Sequence, residues 1–388
     1  MIYLAYFSVG LPNSMLGAAW PSVQNALGVT AELMGTMATV TAGGTIISSL
    51  LCVQIVNRLG TGKTVLVSLL LSAIGLLGYA LASGAAVFLA SSVLIGLSAG
   101  CLVATLNTYM SLKYEARHLS WVHCFWGIGS MVGPVLLTVS LQTKLMWRGG
   151  YGVAAAVVLA VIILAGISLS HWGKQGDEQS GKQAERTDTF ISNRAAFGYP
   201  GVKLVLLLFL CYCAIESCMN LWITSFSLER CQLTEAKAAF MSSLFFAGIT
   251  AGRCISGVAN KKYDGFTLIK FSGIVMLIGI LLLLICSGEG MCGAGVLLTG
   301  LGCAAISPNL VHKLPQMVGE RASQAVSGLQ AAASSIGSML MPILTGTLFQ
   351  RLGMGLMPWW LLVFTSTLLV LLYAVEKRMT KKAAYISE

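Results

Sequence analysis

Glu216 lies in the middle of an apolar stretch with Asn220 four residues on, the clearest acid placed among hydrophobic neighbours in the chain. An ionised carboxylate near a bilayer centre costs several kcal/mol unless it is paired or hydrated, so such an acid faces a cavity or carries a proton. Two readings follow for Glu216: a site for substrate and for an exchangeable proton, or a protonated packing group held by hydrogen bonds. Residues four apart share a helix face, so Asn220 joins whatever surface Glu216 lines.

Further polar and aromatic side chains are scattered through similar surroundings. Asn13 follows Pro12 near the middle of the first apolar run, where a helix broken by proline would free carbonyl groups beside an amide. Asn107 and Asn309 sit in later runs, and Gln330 in another. His123 and Trp126 stand three residues apart and can face one cavity; the His could equally bond a backbone carbonyl. Trp20 and Trp222 are either aromatic platforms or anchors at a membrane surface. Sugars present flat apolar faces rimmed by hydroxyls, and aromatic rings with amides, His and an acid are the groups that bind them. Asn13, Asn107, His123, Trp126, Glu216, Asn220, Trp222, Asn309 and Gln330 are therefore the candidate substrate ligands, with Glu216 also the proton carrier.

The elements that must position them are membrane helices. Of 388 residues, 56% are hydrophobic and 10% charged, too little charge to cover a soluble domain of that size. Apolar runs of about 20 residues, each enough to cross a bilayer, recur along the whole chain. They give six spans at 2–26, 32–56, 63–84, 86–112, 118–141 and 148–170, then six more at 201–227, 233–258, 265–286, 290–312, 321–350 and 354–376. The expected fold is all-α: twelve transmembrane helices in two pseudo-symmetric six-helix bundles, 1–170 and 201–376. A charged, Gly/Ser/Gln-rich linker, 171–200, joins them, and a basic tail, 377–388, follows. Residues 1–26 lack a basic leader and a small-residue cleavage site, and read as the first span rather than a signal peptide.

The net charge of +10 does not point to nucleic acid, because the bases sit between spans. One set of gaps holds Arg58, Lys63, Lys113, Arg117, Lys261, Lys262, Lys313 and Arg321, together with the linker and tail bases; the opposite gaps hold few. Basic residues stay on the cytoplasmic side during insertion, so both termini are expected in the cytoplasm, across the inner membrane. The 11 cysteines show no CxxC pair and no metal-ligand spacing, and they read as small packing residues. Gly60-Thr61-Gly62-Lys63-Thr64 is similar to the end of a phosphate-binding loop, but the first required glycine is Asn57 and no strand precedes it. No enzymatic constellation, cofactor or metal is expected.

Three landmarks recur in the same order in both halves. Ile128-Gly129-Ser130-Met131 with Gly133-Pro134 is matched by Ile336-Gly337-Ser338-Met339 with Pro342, Gly337 standing 208 residues after Gly129. Asn57-Arg58 is matched by Asn260-Lys261 at an offset of 203, and Asn107 by Asn309 at 202. Duplicated bundles that hold a solute at their interface are a common plan for secondary transporters.

On these residues the chain resembles the major facilitator superfamily. Asn57-Arg58-Leu59-Gly60-Thr61-Gly62-Lys63 is similar to that superfamily's short loop after the second span, with Val53 in place of its first Gly and Asn57 in place of its Asp. Within it the likeness is to the fucose permease group of sugar transporters, through Gly17 to Pro21, Asn107-Thr108-Tyr109, His123 to Gly129, Glu216 before Trp222, Gly248 to Arg253 and Gly328-Leu329-Gln330. That group carries acids on spans one and four where this chain has Asn13 and Asn107, and an amide can bind a hydroxyl but cannot carry a proton away. The resemblance implies alternating access by a monomer in the lipid bilayer, coupled to H⁺ with Na⁺ as the alternative. It also implies a gate built from Asn57, Arg58, Lys63 and Arg253. The cargo is expected to be a sugar or related polyol; efflux of a drug or metabolite, suggested by Gly129-x-x-x-Gly133-Pro134, is the rival, although the same glycines suit a hinge or close packing.

Overall fold

The computed structural model describes residues 1–114, 116–169, 197–198, 201–318 and 320–387. Apart from 197 and 198, the expected linker 171–200 lies outside the described residues. The first half forms α1 (Ile2–Leu27), α2 (Ala31–Leu59), α3 (Thr61–Leu81), α4 (Ala85–Lys113), α5 (Ala116–Ser140) and α6 (Met146–Ile167). The second half forms α7 (Val202–Arg230), α8 (Glu235–Ala259), α9 (Gly265–Leu284), α10 (Glu289–Ala304), α11 (Ile306–Val318), α12 (Glu320–Leu352) and α13 (Met357–Ser387).

The helices follow the expected spans, with four local differences. Span ten is not continuous: α10 ends at Ala304 and α11 begins at Ile306, because Pro308 has no N–H to give and its ring crowds the carbonyl four residues back. The loop expected after the second span shrinks to Gly60, whose φ of 77° only glycine adopts without strain, so Asn57 and Arg58 lie in the last turn of α2 and Lys63 in the first turn of α3. Pro12 does not break α1, which runs unbroken through both Pro12 and Pro21. The helix of α13 continues past residue 377 to Ser387.

Among the described residues, eleven helical stretches are long and apolar enough to cross a membrane. α1 falls outside that set, since its hydropathy is diluted by Ser, Asn and Pro, yet it is buried along most of its length. Its seam with α5 shows how that dilution is used. A Cβ at Gly10 would collide with the Trp126 carbonyl and one at Gly129 with the Phe7 carbonyl, while Ser14 Oγ donates to the Ser130 carbonyl at 2.6 Å. Small residues let the two backbones touch, which is how helices associate where no hydrophobic effect drives them. The Gly129 and Gly133 positions are thus occupied by close packing.

The packing pairs repeat across the halves. α1 packs on α5 as α7 packs on α12, α2 on α4 as α8 on α10, and α3 on α6 as α9 on α13. Among the described residues the halves meet chiefly where α1 packs on α7, α2 on α12 and α5 on α8, with a lighter contact of α1 on α8. Gly17 meets the backbone of Asn220 and Leu221, Gly35 meets Pro342, and the Ala31 N–H donates to Gln350 Oε1 at 2.9 Å. These contacts lie toward the ends of α1 and α7 that are distant from Gly60. Among the described residues no comparable seam joins α4 to α10 or α11. Through α1–α7 and α2–α12 the halves are clasped at the end distant from Gly60, while α4 stands apart from α10 and α11.

Candidate functional site

Between the halves lies a cavity of about 690 Å³, within the range of small-molecule sites. Its closed end is formed by Leu16, Leu221 and Pro342, and its walls run toward Ser49, Asn107 and Ser334. Glu216 stands 14 residues into α7, roughly 21 Å along it at 1.5 Å per residue, and so halfway through a membrane-crossing helix.

On the second-half wall, Glu216, Ser217 and Asn220 of α7 present one face to the cavity. Asn220 Nδ2 donates to the Asn13 carbonyl at 3.1 Å, tying the two halves at the level of the site. Its Oδ1 is buried with no hydrogen-bond partner among the described residues. An unmet buried acceptor is costly, about 1–3 kcal/mol, and a ligand hydroxyl could satisfy it. Tyr212 and Arg253 flank Glu216 closely enough to act on its charge. On α12, Ser334, Ser335 and Ser338 add hydroxyls to the wall.

On the first-half wall the groups are neutral. Asn13, Thr41, Thr45 and Asn107 line it, and Tyr6 donates its hydroxyl to Asn107 Oδ1. That bond fixes the amide so that its NH₂ edge is the remaining donor. Trp126 of α5 closes one side together with Phe246 of α8, ring centroids 6.3 Å apart and nearly perpendicular.

Five of the nine expected ligands therefore share the cavity: Asn13, Asn107, Trp126, Glu216 and Asn220. The other four do not line it. Trp222 is fully buried, donates Nε1–H to Thr345 Oγ1 at 2.9 Å and stands edge-on to Phe349, so it holds α7 against α12. Asn309 is buried on α11, donating to the Ala305 carbonyl at 2.8 Å and to Ser256 at 3.3 Å. Gln330 sits behind the wall, donating to Ser334 Oγ at 3.1 Å. His123 rests against the Tyr6 ring, 5.6 Å between centroids. Trp20, a possible surface anchor by sequence, is fully buried.

The sequence reading missed Tyr6 and the α12 serines. Tyr6 precedes Asn13 by seven residues, two helical turns, and so shares its face. Ser334 and Ser338 are four apart and share theirs in the same way.

The sequence profile of the Major Facilitator Superfamily matches residues 2–292. The chain belongs to that superfamily. It is a multi-pass membrane transporter of a small solute, with the superfamily's all-helical fold. The transporter is similar to YfkL of Bacillus subtilis (strain 168), an uncharacterized MFS-type transporter, at 20% identity over 91% of this chain and 89% of that one. Its fold is also that of the nucleoside transporter NupG. A single-residue mutant of NupG superposes with a TM-score of 0.78 at 13% identity, covering 97% of this chain and 98% of the other. A second NupG structure gives 0.73 at 15%, covering 98% and 97%.

The expected gate residues fall into two groups in the transporter. Asn57, Arg58 and Lys63 are exposed around Gly60. Arg253 lies deeper, its guanidinium 5.5 Å above the Trp126 ring, and its charge reaches both His123 and Glu216. The corresponding end of the second half is engaged: Lys313 bonds Asp264, which caps α9 by accepting from the Phe266 N–H at 2.9 Å. The Lys313 ammonium holds the Asp264 carboxylate below its usual pKa. The sign follows: this pairing is present above the ordinary carboxylate pKa and is lost as pH falls through the lowered one.

Proposed function

We propose that the transporter moves a small polyhydroxylated solute, a sugar or related polyol, by alternating access, and couples it to a proton at Glu216. The observation that carries this reading is the conjunction on α7: a carboxyl half-buried on the cavity wall, one turn from an amide oxygen with no partner. A solute hydroxyl would satisfy Asn220 Oδ1, and the Asn107 NH₂ edge would donate to another of its oxygens. Trp126 and Phe246 supply the flat apolar face that ring solutes stack on.

Coupling rests on cost. A bare carboxylate is disfavoured at that depth, so Glu216 crosses between the two faces either protonated or paired with cargo or Arg253. H⁺ is the coupling ion in this account. The clasp of α1 on α7 and of α2 on α12, with α4 apart from α11, supports an arrangement open toward the Gly60 end. The basic gaps make that end cytoplasmic. Both termini would then lie in the cytoplasm, with 1–170 and 201–376 rocking as two bodies of a monomer in the inner membrane. Asn57, Arg58 and Lys63 would meet the opposite half only when that end closes.

Nucleosides are a second reading. A nucleoside joins a ribose to a flat base, the aromatic wall suits such a base, and NupG shares the fold. Drug or metabolite efflux is the rival reading of the same fold, although the glycines that suggested it also serve close packing in the α1–α5 seam.

The test is flux of labelled monosaccharides and nucleosides into vesicles holding the purified protein under an imposed pH gradient. One of these classes is expected to accumulate only while the gradient lasts. Resistance to amphipathic drugs in a sensitised strain, with no flux of either class, would sink the proposal.

A further inference from the structure

At the end of the second half distant from Gly60, the short α7–α8 and α9–α10 turns come together. Cys231 begins the first turn and Cys286 lies in the second, each only 7% exposed, and their sulfurs stand 2.9 Å apart. That is about 0.9 Å beyond a bonded pair, so a small side-chain rotation closes the gap. Cys292, the third thiol nearby, is fully buried and engaged with Ser227 Oγ at 3.3 Å. Other cysteines meet different partners: Cys52 contacts Thr105 at 3.2 Å, Cys213 the Ser334 carbonyl at 3.7 Å and Cys303 the Met276 sulfur at 3.5 Å, while Cys124 and Cys254 are neighbours on α5 and α8.

We infer that Cys231 and Cys286 form a disulfide that staples the outer face of the second half. The inference borrows only the orientation given by the basic gaps, not the solute or the proton coupling. That orientation puts both turns outside the cytoplasm, where disulfides form and persist. The oxidant is an external disulfide, small or protein-borne. The thiolate of one cysteine attacks it, one R–SH leaves, and the second cysteine displaces the other R–SH from the mixed disulfide. Two S–H bonds are lost, one S–S bond forms, and two electrons and two protons end on the two departing thiols.

The position gives the staple a mechanical role. Four residues after Cys231, Glu235 accepts a hydrogen bond from Ser22 of α1 in the first half. Lys237 on the same helix pairs with Glu289 of α10 at 2.6 Å. Tying the two turns makes the outer end of the second half one stiff body, so that the Ser22–Glu235 clasp opens as a unit rather than by fraying of one turn.

The experiment uses the full chain in right-side-out and inside-out membrane vesicles, with oxidised glutathione, which does not cross the bilayer, as the probe. After treatment the protein is denatured, its thiols are labelled with a maleimide–polyethylene glycol, and disulfide-linked peptides are read by mass spectrometry. The expected result in right-side-out vesicles is two labels fewer than the 11 cysteines allow, with the Cys231 and Cys286 peptides joined. Cys231→Ala and Cys286→Ala should each label fully, and Cys292→Ala should keep the pair. Full labelling of the wild type would overturn the inference, as would a link from either residue to Cys292 instead. So would oxidation confined to inside-out vesicles, and that result leaves solute flux untouched as a separate question.

Discussion

The two walls of the central cavity are built from different chemistry. The first-half wall presents Asn13, Thr41, Thr45 and Asn107, all neutral, with Tyr6 bonded behind Asn107. The second-half wall holds the titratable acid, Glu216, with the Arg253 charge acting on it and an unmet Asn220 oxygen beside it. One wall can recognise hydroxyls without changing charge, while the other can bind, release or pair a proton. On the proposed function, a cavity divided in this way would let a solute bridge two bodies while the proton stays with one of them.

The sharpest way to break this division is to neutralise the acid. Glu216→Gln keeps shape and hydrogen bonding but not the proton, and should cut gradient-driven uptake by at least about tenfold while exchange of solute persists. Rates of uphill uptake and of solute exchange in the same vesicles check this together. Next is Asn220→Ala, which removes both the unmet acceptor and the bond to the Asn13 carbonyl. It should raise KM by about tenfold, the equivalent of about 1.4 kcal/mol, and a KM measured at fixed gradient reads it. Tyr6→Phe leaves Asn107 free to turn and should weaken solute binding by about three- to fivefold with the proton stoichiometry unchanged, a pairing that equilibrium binding and proton-flux counts can test. The smallest effect belongs to Trp222→Phe. It loses the bond to Thr345 within the α7–α12 seam, so KM should stay within about twofold while thermal stability drops by about 1 kcal/mol.

The sequence pattern carried most of the fold, because apolar runs of membrane length separated by basic gaps place nearly every span. What it hid were features decided by single residues. Pro308 breaks span ten by acting on the carbonyl of Ala304, whereas Pro12 sits within an unbroken α1 braced against α5. Residue type alone does not tell a helix that lines a cavity from one that seals a seam. Glu216 and Asn220 differ by one turn and face the cavity together, but Trp222 is two residues past Asn220, about 200° round the helix, and faces α12. The same arithmetic links Tyr6 to Asn13. Asn309 was a persuasive match to Asn107 by repeat position, yet it lies beyond the Ala305 break, bonded to its own helix and to Ser256.

Proton movement measured alongside solute tests the central claim most directly. In lightly buffered, ungradiented vesicles, adding solute to the outside should shift the external pH as protons travel with it, and Glu216→Gln should bind the same solute with no pH shift. An equal shift in wild type and variant would contradict the assignment of coupling to Glu216.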